Sequence, residues 1–182
     1  DYSERDALTG LLNRKTFDEY LMRFASSAKT EDSKNPWLAV IDIDHFKHVN
    51  DRFGHLFGDE VLILIANLLR AAFGASFRIF RFGGEEFVIL IPSMSQEAAA
   101  QALEGFRAMV NQHDFPQIGH VSVSIGFAGA KLCSPIEILG QADQALYYAK
   151  ENGRNRVCQY EKLQSEGLLQ NTSISHDDVE IF

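Results

Sequence analysis

Residues 81–90 read RFGGEEFVIL: a Gly-Gly pair between two strand-like apolar runs, with two carboxylates fused to the turn. Glycine reaches positive φ without steric cost, so Gly83 and Gly84 predict the tip of a β-hairpin with arms near residues 77–82 and 87–91. What surrounds the hairpin limits the folds that can hold it. Upstream, WLAVIDID (37–44) reads as a buried strand ending in acid. From Gly58-Asp59 a helix is predicted through Val61, Leu62, Ile65, Leu68, Leu69 and Ala72, with Gly74 as its stop. Downstream, Ser93 with Gln96 suggests a capping box for a helix running to about His113, and HVSVSIGFA (120–128) alternates at period two as a strand.

That order, strand, helix, strand, strand, helix, strand, is the βαββαβ unit of ferredoxin-like and palm-like cores. The predicted class is α/β (α+β), with a central, mainly antiparallel sheet flanked by helices. Before the unit, Asn13 caps a helix bearing Phe17, Leu21 and Phe24. After it, Ser134-Pro135-Ile136-Glu137 combines an N-cap, a proline at N1 and an acid at N3. The helix so started runs through Leu139, Ala142, Leu146 and Ala149 to Asn152-Gly153, and residues 156–160 form a last strand. The stretch HFKHVNDRFGH (45–55) is too mixed to be regular and reads as a loop. Residues 161–182 read as a polar, acidic, poorly packed tail, so one domain spans residues 1–160.

The formal net charge of −8 argues against a general nucleic-acid binder, which needs a basic footprint. An anionic ligand must be met locally, by metal ions, placed Lys or Arg groups, or helix N-termini. Cys133 and Cys158 form no zinc pattern and no disulfide framework, in keeping with a reducing compartment. No apolar run reaches membrane-spanning length and no signal peptide is evident, so the expected setting is the cytoplasm, for this chain or as part of a longer one.

The topology also predicts a juxtaposition. If the second hairpin strand lies antiparallel beside WLAVIDID, Glu85 and Glu86 at its start meet Asp42 and Asp44 at the end of the other. Residues two apart on a strand share a face, so Asp42 and Asp44 can point the same way. Such a cluster is costly unless a cation neutralises it, and oxygen-only donors suit Mg²⁺ or Mn²⁺ rather than zinc. Carboxylates on adjacent strand ends that hold metal, which in turn holds triphosphate, are the layout of two-metal nucleotidyl transfer.

Four motifs carry a family resemblance: DALTGLLNR (6–14), DIDHFKHVNDRFGHLFGDEVL (42–62), RFGGEEF (81–87) and ADQALYYAKENGRNRV (142–157). In this order they resemble the GGDEF diguanylate cyclases, in the GGEEF variant, over roughly residues 3–160. The resemblance implies condensation of two GTP into cyclic di-GMP, with release of two pyrophosphates, between two copies of the domain, each using two Mg²⁺ (or Mn²⁺). It implies metal binding by Asp42, Glu85 and the Ile43 carbonyl, and guanine reading by Asn50 and Asp59. It also implies phosphate contact by Lys47, Lys150 and Arg154, close backbone at Gly83 and Gly84, and help from Glu85 or Glu86 in deprotonating the attacking hydroxyl. His55 and Phe46 would border the ligand. An upstream sensor or dimerisation segment is expected in the full-length protein. Many members carry Arg-x-x-Asp before the signature as a product-binding inhibitory site; here that stretch is GASF (74–77), so feedback through it is not expected.

Each residue alone has an ordinary reading. Gly83-Gly84 is a turn, Asp59 an acid at a helix start, Lys150 and Arg154 cations at a helix end. His45, His48 and His55 are too unevenly spaced for a metal site, and Phe46, Phe53 and Phe57 read as loop-anchoring core. A non-catalytic GTP-binding module is the alternative from another class, and a cyclase making a cyclic mononucleotide a weaker one.

Overall fold

The protein was analysed as a computed structural model, which describes residues 2–26, 34–131 and 133–169. After a short 3₁₀ turn (Tyr2–Glu4) come β1 (Leu12–Asn13), α1 (Arg14–Ser26), β2 (Asn35–Ile43), α2 (Phe46–Phe53) and α3 (His55–Phe73). The hairpin β3 (Arg78–Gly83) and β4 (Glu86–Met94) follows, then α4 (Gln96–Gln112), β5 (Val123–Gly129), α5 (Pro135–Glu151), β6 (Val157–Gln159) and α6 (Tyr160–Ser165). The six strands lie in the order β1-β3-β4-β2-β5-β6. β4 is antiparallel to both β2 and β3, and β2 to β5, while the edge pairs β1–β3 and β5–β6 are parallel. The predicted βαββαβ unit is therefore present, widened by one strand at each edge.

Alternation along β2 sorts the interior into two layers. Ala39, Ile41 and Ile43 face a core with Val61, Ile65 and Leu69 of α3 and Leu103 and Phe106 of α4. Leu38 and Val40 face the other, with Phe17 and Leu21 of α1 and Ile138, Ala142 and Leu146 of α5. By the same alternation Asp42 belongs to the α5 face. That helix lies very close to the sheet: a Cβ on Gly126 of β5 would fall 2.2 Å from the Leu146 nitrogen and 2.4 Å from the Ala142 carbonyl oxygen. The missing side chain lets α5 settle onto β5, which brings its C-terminal end towards the end of β2.

Four boundaries differ from the sequence reading. Residues 45–55 are not a loop: His45 turns the chain in the left-handed region (φ 56), α2 follows, and Gly54 (φ 93) separates it from α3. Phe46 and Val49 are buried and Phe53 packs against the core, a helical i, i+3, i+7 stripe hidden among polar neighbours. The N-cap of α4 is Ser95, whose hydroxyl accepts from the Ala98 amide at 3.1 Å, because β4 continues past Pro92. The β2–β4 register slips between Asn35 and Trp37 beside that proline, which has no N–H for the ladder. β5 begins at Val123, and the tail is packed further than expected, since α6 buries Leu163 and Glu161 accepts from the Gly129 amide at 2.9 Å. The remainder of the expected tail, 170–182, lies outside the described residues.

Candidate functional site

The hairpin tip is set by backbone. Gly83 (φ 143) still pairs with Glu86, and the chain reverses through Gly84 (φ 50) and Glu85. A Cβ at either glycine would meet nothing within 4 Å, so the backbone here is open to close approach by a ligand. The Ile43 amide donates to the Glu85 carbonyl at 3.3 Å, which fastens the tip to the end of β2. Arg81 braces the turn from behind: its Nη2 donates to the Gly84 carbonyl at 2.8 Å and its Nη1 pairs with Asp6 at 3.1 Å. Burial would push the Asp6 carboxyl up, but hydrogen bonds from the Thr9 hydroxyl and amide, with the Arg81 charge, outweigh it and hold it below the usual range. The first motif thus supports the third.

Asp42 lies directly across from Glu86 in the β2–β4 ladder, as the topology required. Both are 2% exposed. Lys150, reaching back from the last turn of α5, donates to Asp42 Oδ2 at 2.6 Å. Burial raises Asp42, with Lys150 holding it down and Glu85 pushing it up. Glu86 is raised more strongly, by burial and then by Asp42, against Lys150. Glu86 Oε2 is buried with no hydrogen-bond partner. Among the described residues, Asp42, Glu85, Glu86 and, from α5, Asp143 thus gather negative charge around the Lys150 ammonium. Asp44 does not join them: the Ser122 and Ser124 hydroxyls and the Asn155 amide take up its two oxygens, at 2.8, 2.6 and 2.9 Å.

The second wall is the α2–α3 corner. Phe46 is buried under it, Lys47 is exposed on α2, Asn50 is half-buried, His55 is the exposed first residue of α3, and Asp59 is half-buried one turn on. Sequence reasoning passed over the role of Gly58. A Cβ there would lie 1.9 Å from Asn50 Oδ1 and 3.3 Å from the Phe46 ring, so the glycine makes the space that the Asn50 amide occupies. With the helix expected to start at Gly58-Asp59 the glycine passed as a terminus; α3 begins at His55, which puts Gly58 inside the helix, where glycine costs about 1 kcal/mol relative to alanine and needs a reason. Because the clash is with the end of a flexible side chain, and alanine is the better helix former, Gly58→Ala is expected to fold with a Tm no lower than wild type while turning Asn50 away. On the guanine-reading role that the resemblance implies for Asn50, GTP affinity should fall about 10- to 100-fold, the loss of roughly 1–3 kcal/mol that accompanies an unmet polar edge. Titration calorimetry with GTP and a melting curve check both halves.

Arg154 follows α5 in the left-handed region (φ 62), half-buried, its amide bound to the Ala149 carbonyl at 2.9 Å. Beneath Lys150 on α5 lies Asp143, which sequence reasoning did not single out. It is 5% exposed with Oδ1 unpartnered, and burial, opposed by Lys150, pushes it up to about 7. A carboxyl raised in the folded state favours folding when protonated, so its contribution is lost as pH rises from about 4 towards 7. Asp143→Asn cannot ionise and is expected to be more stable than wild type at pH 8 by about 1–3 kcal/mol, the difference vanishing near pH 4. Urea unfolding at the two pH values measures it.

Among the described residues no group of three or more His, Cys, Asp or Glu is arranged to hold a metal by itself. His45 and His48 rings stand 5.4 Å apart and His120 bonds Asn111 at 2.5 Å, as histidines in local contacts. The GASF stretch holds no charge: Gly74 ends α3, and the Phe77 ring stacks on Phe73 at 4.8 Å. No helix of the described residues is long and apolar enough to cross a membrane.

Comparison with known proteins gives the same outline. Residues 3–156 match the family model described as diguanylate cyclase, GGDEF domain. The diguanylate cyclase DgcP of Pseudomonas aeruginosa is 44% identical over 156 residues, 84% of this chain and 23% of that protein. The diguanylate cyclase DgcM of Escherichia coli K12 is 38% identical over 85% of this chain and 38% of its own length. The chain therefore spans well under half of these curated relatives. Among solved structures, the GGDEF domain of DgcB from Caulobacter crescentus in complex with c-di-GMP superposes with a TM-score of 0.81 at 37% identity, covering 87% of this chain and 96% of that one. The active GGEEF domain of a diguanylate cyclase from Vibrio cholerae gives 0.74 at 35% identity, over 82% and 97%. With its signature hairpin seated on the acidic end of β2 and the family model matched almost from end to end of the described fold, this chain belongs to the GGDEF-domain diguanylate cyclase family.

Proposed function

We propose that this domain condenses two molecules of GTP into cyclic di-GMP, each bound by one of two copies that meet face to face. The observation that carries the reading is the in-register pairing of Asp42 with Glu86, with the Glu85 carbonyl bound to the Ile43 amide. It sets two carboxylates and a strand-end carbonyl beside an open glycine turn.

The donor set fits hard divalent ions, two Mg²⁺ per site with Mn²⁺ as substitute, held by Asp42, Glu85 and the Ile43 carbonyl. All three are oxygen donors, and the surplus of negative charge over Lys150 calls for a cation. Bound there, such ions would neutralise triphosphate charge and would lower the pKa of the attacking 3′-hydroxyl. The chain's own groups do the rest. Asn50 and Asp59 hold the guanine edge, the carboxylate accepting from N1–H and N2–H₂. Gly83 and Gly84 let the triphosphate lie against the backbone. An ammonium has three donors, so Lys150 can keep Asp42 and still reach a phosphate, with Lys47 and Arg154 as further cations. Glu85, at the open tip, faces the attacking hydroxyl as proton acceptor, while Glu86 is buried across from Asp42 and less accessible to it. Each hydroxyl attacks the α-phosphorus of the nucleotide on the facing copy, and pyrophosphate leaves.

The experiment is a product assay with GTP and Mg²⁺ across a protein concentration series, read by chromatography and mass. Cyclic di-GMP formed at a rate rising faster than linearly in protein supports both the reaction and the paired half-sites. GTP binding without product at any concentration would replace it with a regulatory GTP-binding module, and a cyclic mononucleotide with a single-site cyclase.

A further inference from the structure

Arg154 and Asn155 are consecutive non-glycine residues in the left-handed region, with φ 62 and 46. Side chains disfavour that conformation, and it persists only where surroundings impose it. Here they do so from three elements. The Asn155 amide donates to Asp44 Oδ2 at 2.9 Å, and Asp44 is itself clamped by Ser122 and Ser124. The Asn155 side chain accepts from Arg107 Nη1 at 2.8 Å and donates to Asn111 Oδ1 at 3.0 Å, both on α4. Arg107 is tied to Glu104 at 2.5 Å, and Asn111 also to His120. On the far side of the pair, the Arg156 carbonyl accepts from the Ile125 amide at 2.9 Å.

We infer that Asp44, Asn155 and Asn111 form a strut that positions Arg154 for the triphosphate, so that a residue touching no substrate sets phosphate affinity. The inference rests on the proposed GTP site. Asp44 sits two residues from Asp42, yet its oxygens are spent on this loop; Asn155 uses its amide and both side-chain polar atoms there. Both residues of the turn are half-buried, and what these bonds fix is the backbone from which Arg154 projects, four residues after Lys150.

A merely structural role and a positioning role separate in a double-mutant cycle. The variants are Arg154→Ala, Asn155→Gly and the double, with Asn111→Ala as a second route should Asn155→Gly fold poorly. Glycine tolerates φ 46, so Asn155→Gly removes the strut's side-chain bonds to Arg107 and Asn111 on α4 without adding strain, while the backbone N–H keeps its bond to Asp44. The readouts are the Kd for a GTP analogue with a methylene in place of the α,β-bridging oxygen, and Tm. Asn155→Gly should weaken the analogue about 10-fold in the wild-type background and less than twofold once Arg154 is alanine, while its effect on Tm is the same in both. Equal weakening in both backgrounds, or a lowered Tm with unchanged Kd, overturns the strut and leaves the GTP site standing. Wild-type protein that does not bind the analogue at all overturns the GTP site, and the strut with it.

Discussion

Glu85→Ala is expected to lower cyclic di-GMP formation by at least about 10³-fold while leaving the fold as stable as wild type or slightly more so. The two effects have opposite signs because the side chain and the backbone of Glu85 do different things. The structural bond of this residue is its carbonyl, which accepts from Ile43 and survives the substitution. Its carboxylate pushes up both Asp42 and Glu86, so alanine relieves repulsion at the buried sheet end, worth up to about 1 kcal/mol. Removing a group that stabilises transition-state charge costs about 10²–10³ in rate, and one that is also proton acceptor and cation ligand costs more. Chromatography of the products with a parallel melting curve tests the pair. Wild-type turnover by the variant would remove Glu85 from the site; lost turnover with a collapsed Tm would make the residue structural.

Much of this site was legible before any coordinates. The meeting of Asp42 with Glu86 follows from a hairpin beside an antiparallel strand, which is topology, and topology is written in long apolar runs and paired glycines. What stayed hidden depends on partners far along the chain. Asp44 looked equivalent to Asp42 from its spacing, but Ser122 and Ser124 on β5 and the Asn155 amide divert it, across more than 70 residues of sequence. Helix α2 was missed because Lys47, His48, Asn50 and Asp51 dilute the stripe of Phe46, Val49 and Phe53, and no side-chain cap announces its start. The resemblance makes Lys150 a phosphate contact and says nothing of its pairing with Asp42. Its bond to Asp42 depends on how near α5 lies to β5, and that is decided by the absent side chain of Gly126, a packing detail no periodicity reports.

That bond leads to the second large effect. Lys150→Met keeps the length and apolar stem of the side chain and deletes the ammonium that pairs with Asp42 and lowers Glu86. Removing one partner of a buried pair costs about 3–5 kcal/mol when the other is left charged. Asp42 can escape part of this by taking up a proton, so the expected loss at pH 8 without divalent metal is about 2–4 kcal/mol. The sign with pH follows. Lys150 lowers both carboxyls, so its loss raises their folded pKa values further above the unfolded ones; the deficit is largest at high pH and shrinks as pH falls and the groups are protonated in either protein. Mg²⁺ adds a discriminating arm. If Asp42 and Glu85 bind the ion, it restores the missing positive charge, and a ligand that binds only the folded state raises Tm. Mg²⁺ should then stabilise Lys150→Met more than wild type, whereas turnover, which also needs the ammonium on a phosphate, stays reduced about 10²-fold or more. Scanning calorimetry at pH 5 and pH 8, with and without Mg²⁺, resolves all three. A variant as stable as wild type at pH 8 without metal would mean that the Asp42 contact carries no weight. A deficit that Mg²⁺ leaves untouched would take the metal away from this carboxylate.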